Sequence, residues 1–245
     1  MNKQNQKVFG SKWGAKDVLI VTISVLALGA LAIFLFKFFG EDSLRLNASG
    51  FLLAYVIQGL FFLIPMWIYL RKKYGKIKFS DFGFTKKWSI KGILPAIAGY
   101  LVYVFAIFLI GLAIVVWDVK IPGFQPEEVS LPVEIGSNLT IILTAITVTI
   151  LAPFVEEIFF RGFILQGLMK RIGKYWAAIV SAGLFSVLHL QLGNIIPLFI
   201  IGLILSALFI QTKSIWPSIW LHFMVNSIAF TFQLLLLFEV IKLDF

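Results

Sequence analysis

Positions 93–117 read ILPAIAGYLVYVFAIFLIGLAIVVW, a run without one Asp, Glu, Lys, Arg or His. The hydrocarbon core of a bilayer is about 30 Å thick and takes roughly 20 apolar residues in a helix, so this stretch can cross it with some tilt. Comparable runs lie on both sides: Val18 to Phe36, Phe51 to Leu70, one beginning near Leu139, then Tyr175 to Leu192, Ile195 to Ile210 and Pro217 to Phe238. Their number and length predict an all-α, polytopic transmembrane helix bundle of about seven to eight membrane helices. The first run is too long for a signal-peptide core, and Lys37 to Asp42 offers no small-residue cleavage site.

Composition agrees. Of 245 residues, 60% are hydrophobic and 13% charged, with a mean hydropathy of +0.98, where soluble domains carry about 25% charged residues. A water-soluble globule is thereby excluded, and 26 Phe with 7 Trp exclude a disordered chain. The formal charge of +9 is set between apolar blocks, which fits an anionic membrane surface; no basic groove interleaved with aromatics points to nucleic acid. With no cysteine there is no disulfide, thiolate ligand, cysteine nucleophile or palmitoyl anchor.

The basic residues also orient the chain. Lys3, Lys7, Lys12 and Lys16, the 71–91 loop with Arg71, Lys72 and Lys73, the turn Lys170-Arg171-Ile172-Gly173-Lys174, and Lys213 fall on one side. The other side keeps Lys37, Arg45, Lys120 and Lys242, together with the acidic Asp118, Glu127, Glu128 and Glu134. The positive side marks the cytoplasm, so the N-terminus is expected inside and the C-terminus outside. Trp117, Tyr175 and Trp216 read as interfacial anchors. Asp81-Phe82-Gly83 matches the kinase metal-binding tripeptide, but no Gly-rich or catalytic loop accompanies it, and it carries no functional weight. Internal repeats and a separate soluble domain are not discernible.

Ionisable residues inside membrane helices are costly and are functional candidates by default. Leu151-Ala152-Pro153-Phe154-Val155 runs straight into Glu156-Glu157-Ile158-Phe159-Phe160-Arg161. Residues four apart share a helix face while neighbours point about 100° apart. Glu157 and Arg161 are therefore expected as an ion pair, leaving Glu156 on another face to accept a proton or hold a metal or water. The bland alternative is that both glutamates pair with Arg161 near the membrane surface. Pro153 is expected to bend the helix.

Both histidines of the chain are also embedded: Phe185-Ser186-Val187-Leu188-His189, and His222-Phe223-Met224-Val225-Asn226. Counted from the 170–174 turn at 1.5 Å per residue, Glu156 lies ~21 Å and His189 ~22 Å deep on the two arms of a hairpin. Matching depth places a carboxylate opposite an imidazole, a pair able to activate water. His222 counts to only ~13 Å from Lys213. Two chemistries stay open: His222 and Asn226 as donors to an oxyanion, or Glu156, His189 and His222 as an N/N/O zinc site with one open position. Neither His-Glu-x-x-His nor Gly-x-Ser-x-Gly is present.

Glu-Glu-x-x-x-Arg at 156–161, Phe-x-x-x-His at 185–189 and His-x-x-x-Asn at 222–226, in this order on successive spans, resemble the CAAX-protease and bacteriocin-processing family of intramembrane metalloproteases. The resemblance covers roughly residues 139 to 230. It implies one integral membrane domain over 1–245, with the catalytic core at 139–230 and additional spans plus a basic cytoplasmic loop at 1–138. It further implies glutamate-dependent peptide hydrolysis, in which Glu156 and His189 activate water and His222 and Asn226 bind the oxyanion or assist a metal. Glu157 and Arg161 would be supporting residues, and Zn2+ the implied cofactor, held by Glu156, His189 and His222.

The compact chain without an organelle signal suggests a bacterial cell membrane. A membrane-associated peptide, such as a bacteriocin or peptide-pheromone precursor, is then the expected substrate. Competing readings are a non-catalytic scaffold or self-immunity protein of the same fold, and a transporter or proton relay, for which embedded Glu and His are equally expected.

Overall fold

The computed structural model describes residues 11–39, 48–85, 90–124 and 138–238. Lys3, Lys7, Arg45, Lys86, Lys87, Glu127, Glu128, Glu134 and Lys242 lie outside the described residues, as does the side chain of Lys37. The described residues are helical, without strands: α1 (Ala15–Phe39), α2 (Ala48–Tyr74), a 3-10 turn (Phe79–Phe82), α3 (Ile93–Trp117) and α4 (Asn138–Ile146). A π-helical segment (Thr147–Leu151), α5 (Ala152–Glu157), a second π-helical segment (Ile158–Leu165) and α6 (Gln166–Leu188) follow without a break. After a 3-10 turn (Leu192–Asn194) come α7 (Ile195–Thr212) and α8 (Trp216–Leu237).

Four stretches among the described residues are long and apolar enough to cross a membrane: Ile93–Trp117, Asn138–Leu188, Leu192–Thr212 and Trp216–Leu237. The expected seven to eight exceed this set, in which α1 and α2 do not figure. Asn138–Leu188 alone has 51 residues, about 77 Å if straight, more than twice a bilayer core. It is bent back on itself: Gly173 leaves the helix at φ 77° and ψ 168°, and Ser181 Oγ donates to the carbonyl of Phe160, 3.2 Å away. The chain is an integral membrane protein, and its outer surface shows the reason. Leu101, Phe105, Phe108 and Val115 of α3 are exposed, an arrangement that suits lipid and not water.

Small residues let the core helices approach closely. A Cβ at Gly202 of α7 would meet Ala182 of α6 at 3.0 Å, and Ser206, one turn on, folds its hydroxyl onto Gly202 O at 2.8 Å. This is the small-residue helix contact common in membranes. α3 packs on α7 and α8, α2 on α4 and α5, and α1 on α2 and α6.

One end of the hairpin is closed by a collar that the sequence reading treated as loop. Phe82 is buried, with ring centroids 5.0 Å from Trp13 and 6.0 Å from Trp67. Gly83 has φ 93°, and a Cβ there would lie 2.7 Å from the Phe209 ring. Its carbonyl accepts the Ile215 N–H at 2.9 Å. Asp81-Phe82-Gly83 is thus a structural plug. Trp216 stacks edge-on against Phe84 at 5.5 Å, so it belongs to the collar, whereas Trp117 and Tyr175 are exposed as anchors would be. The buried Asp17 ties α1 to α2, accepting from the Gly14 N–H, Tyr69, Lys73 and Tyr74. Burial alone would raise the Asp17 carboxyl, but the bonds from Lys73, Gly14 and the two tyrosines outweigh it and hold the group at about 2.

Candidate active site

The helix that carries the glutamates is irregular on both sides of them, as is frequent at functional sites. Thr147 and Thr149 turn their hydroxyls onto the carbonyls of Leu143 and Ala145, both at 2.7 Å, offering those carbonyls a partner outside the α ladder. The Ala152 N–H bonds to Thr147 O, five residues back. Pro153 follows at the start of α5. A change of helical register thus precedes the proline at which the sequence leads one to expect a bend.

Within α5, Glu157 is fully buried and Glu156 is 21% exposed at its side chain. The i, i+4 pair forms: Arg161 donates to Glu157 Oε1 at 2.8 Å, and its other amino group to Gly202 O at 3.1 Å. The guanidinium lies over the Phe185 ring, 4.6 Å from its centroid. Glu156 faces a cavity of about 230 Å³ lined by Gly59, Phe62, Phe160, His189 and Gln191 among others. The lining of a larger cavity of about 260 Å³ is apolar, with Met66, Trp67, Phe79 and Phe82, and offers no group that can move a proton.

The equal depths counted for Glu156 and His189 correspond to contact: His189 Nε2 lies 3.6 Å from Glu156 Oε2. His189 is not inside a span, however. It caps α6, and Leu190 follows at φ 57°, so the helix stops short of the expected Leu192. The turn residues Gln191, Gly193 and Asn194 take over there. Because the His189 N–H bonds to Ser186 O, the Phe185 carbonyl is left for the imidazole, and His189 Nδ1 bonds to it at 2.6 Å.

His222, counted as shallower, reaches the same point: Nε2 is 3.7 Å from Glu156 Oε2 and Nδ1 is 2.9 Å from Glu157 Oε1. The count from Lys213 misleads because the next two residues, Ser214 and Ile215, are fully buried under the collar. α8 thus starts already inside the fold. Asn226, one turn beyond His222, donates through Nδ2 to Val148 O at 2.9 Å.

Carbonyl and ionised carboxylate oxygens only accept, so Nδ1 carries the proton on both neutral imidazoles. Both then turn Nε2 toward Glu156 Oε2, which itself has no hydrogen-bond partner among the described residues. Three acceptors converge on one spot. A water placed there has two protons to give and a base to take one, whereas His222 becomes a donor to an oxyanion only when Nε2 is protonated. Among the described residues there is no group of three or more His, Cys, Asp or Glu side chains that could hold a metal ion.

In the sequence Phe185 is no more than the first letter of the Phe-x-x-x-His motif. The structure gives it two tasks: its carbonyl orients His189, and its ring separates Arg161 from His189 and His222, at 4.6, 4.4 and 5.6 Å. Its position four residues before a histidine at a helix end was the available signal. Gly202, whose bare backbone receives Arg161, had none.

Residues 138–228 match the sequence family described as Type II CAAX prenyl endopeptidase Rce1-like. The resemblance drawn from the motifs at 156–161, 185–189 and 222–226 is thereby borne out. A Bacillus subtilis (strain 168) protein described as "Putative membrane peptidase YdiL" is 28% identical over 142 residues, 58% of this chain and 57% of that protein. An uncharacterized 24.3 kDa protein of Escherichia coli is 32% identical over 97 residues, 38% of this chain and 45% of that protein. The chain thus spans about half the length of the curated relatives it matches. No solved structure matches it.

Proposed function

We propose that this chain is an intramembrane endopeptidase in which Glu156 is the general base. The observation that carries the reading is the convergence of His189 Nε2 and His222 Nε2 on Glu156 Oε2, at 3.6 and 3.7 Å, inside a hairpin of a membrane protein. The family match over the same helices supports it.

In this reading Glu156 Oε2 takes a proton from water as the water oxygen bonds to the scissile carbonyl carbon. His189, oriented by Phe185 O, holds the second water hydrogen. His222 bonds the developing oxyanion from Nε2 when that nitrogen carries a proton, and the Glu157 carboxylate at Nδ1 stabilises the positive charge of the imidazolium. Collapse breaks the C–N bond, and the proton on Glu156 passes to the leaving nitrogen. Arg161 pairs with Glu157 and holds it in place. No step is routed through zinc.

The substrate class is a peptide presented from the membrane, such as a bacteriocin or pheromone precursor, in a bacterial cell membrane with the basic N-terminal end cytoplasmic. Seven crossings are compatible with that placement when α1 and α2 span and Asn138–Leu188 spans twice. The test is cleavage of a library of membrane-anchored peptides by detergent-purified protein, wild type against Glu156→Gln, with and without chelator. Gln keeps the size and removes the base, so activity should fall by at least about 100-fold. Undiminished cleavage by a folded Glu156→Gln protein refutes the proposal. Loss on chelation, restored by zinc alone, would replace the metal-free water step.

A further inference from the structure

We infer that Asn226 is a positioning residue: its carboxamide stands in for the backbone N–H that Pro153 lacks, and so holds the helix register that aims Glu156. The inference deepens the peptidase reading and rests on it for its kinetic arm only.

The segment Thr147–Leu151 is π-helical, a geometry in which an N–H reaches five residues back, and the Ala152 N–H does so by bonding to Thr147 O. The next donor in that register is residue 153, and its acceptor is the carbonyl of Val148. Residue 153 is proline, which has no N–H. A carbonyl orphaned inside a membrane protein is costly and has to find another donor. Val148 O finds the Asn226 amide at 2.9 Å, brought from α8, 78 residues away. Because the acceptor is a carbonyl, the group facing it has to be the NH₂ of the carboxamide.

The consequence reaches the site through the helix. α8 is fastened to the glutamate helix twice from one face, by Asn226 on Val148 and by His222 on Glu157. Glu156 lies between these two attachments. Reverting the π-helical segment to α-helix would rotate everything after Pro153 by up to about 100°, the arc of one residue. Glu156 would then leave the cavity and lose its place opposite His189. Asn226 therefore acts on the reaction through Val148 and the helix, which differs from the oxyanion contact implied by the family resemblance.

The test is a double-mutant cycle on the full chain in detergent, with Asn226→Ala, Pro153→Ala and the two combined. Alanine at 153 returns an N–H aimed at Val148 O. One readout is the thermal unfolding midpoint. The other is cleavage of a fluorescence-quenched peptide carrying a hydrophobic anchor. Asn226→Ala alone should lower the midpoint and reduce kcat/KM by about 10- to 100-fold, mostly in kcat. On the Pro153→Ala background the same change should cost at least threefold less by both readouts.

Equal losses of kcat/KM on the two backgrounds would overturn the inference, since a donor to the oxyanion cannot be replaced by a backbone N–H at 153. If Asn226→Ala cannot be purified but the double variant can, the inference is supported. If Pro153→Ala folds and neither Asn226→Ala protein does, it is overturned. Should the wild type cleave nothing, the peptidase reading fails while the midpoint cycle still decides the role of Asn226.

Discussion

Arg161 offers the sharpest test of how the site is held. Its guanidinium is fully buried, 2.8 Å from Glu157 Oε1, 3.1 Å from Gly202 O and over the Phe185 ring. Replacing it by methionine keeps much of the stem and removes the guanidinium paired with Glu157, leaving an uncompensated carboxylate in the core. Breaking one side of such a pair costs about 3–5 kcal/mol, two to three and a half orders of magnitude in the unfolding constant.

Gly202 O adds little to that cost, because the Ser206 hydroxyl still donates to it at 2.8 Å. The second step is Glu157→Gln on top of Arg161→Met. The charge is then gone from both partners, and a carboxamide oxygen still accepts from His222 Nδ1. Stability should return to within about 1–2 kcal/mol of wild type, as neutral replacements of buried pairs commonly do. Activity should not return: without the carboxylate behind His222, kcat/KM is expected to stay about 10- to 100-fold down, the usual scale for a lost orienting partner. The assay is unfolding in mixed micelles followed by tryptophan fluorescence, in parallel with peptide cleavage. A loss below about 1 kcal/mol for Arg161→Met, or a double variant as unstable as the single, would refute the picture of a desolvated pair.

Two further outcomes follow from other parts of the fold. Asp17 is held at about 2 against an ordinary 3.8, so its contribution is present above about pH 4 and lost as pH falls through about 2; the stability gap between wild type and Asp17→Asn should close across that window, and a gap unchanged at pH 2 would contradict the assignment. Gly202→Ala should destabilise by about 1–3 kcal/mol, because the new methyl meets Ala182 at 3.0 Å, and Ala182→Gly in the same chain should recover part of the loss; no recovery would mean that the helix contact is not what suffers.

What the sequence yields here depends on whether a residue's task is local. Glu157 with Arg161 follows from helix periodicity alone, and Glu156 opposite His189 follows from rise per residue around a turn that Gly173 does make. Both tasks are fixed by one hairpin. His222 was placed too shallow because its depth depends on the collar, where Ile215 bonds to Gly83 O, a contact 132 residues apart in number. No periodicity encodes that. The expected end of the fifth span fails for a related reason: apolar Leu190 and Leu192 extend the hydrophobic pattern past the point where the backbone turns and His189 becomes a cap.

The collar also explains why residues far from the motifs matter to them. Gly162 and Gly167 flank the buried stretch after Arg161, and a Cβ at either would strike the collar: Phe82 at 3.1 Å from Gly162, and Val18 at 2.5 Å and Trp13 at 3.0 Å from Gly167. Trp13 in turn donates its indole N–H to Phe163 O at 3.0 Å, and Gln166 bonds both to Asp81 O and to Gly162 O. The second π-helical segment and the turn after it are therefore gripped by the collar at Gly162, Phe163, Gln166 and Gly167, while Gly202 and Phe185 hold it at Arg161. A helix with altered register on both sides of its carboxylates has weak intrinsic reason to keep them aimed. The N-terminal residues and the 79–84 turn supply that reason through packing, which is why the three motifs alone under-describe what the fold has to provide.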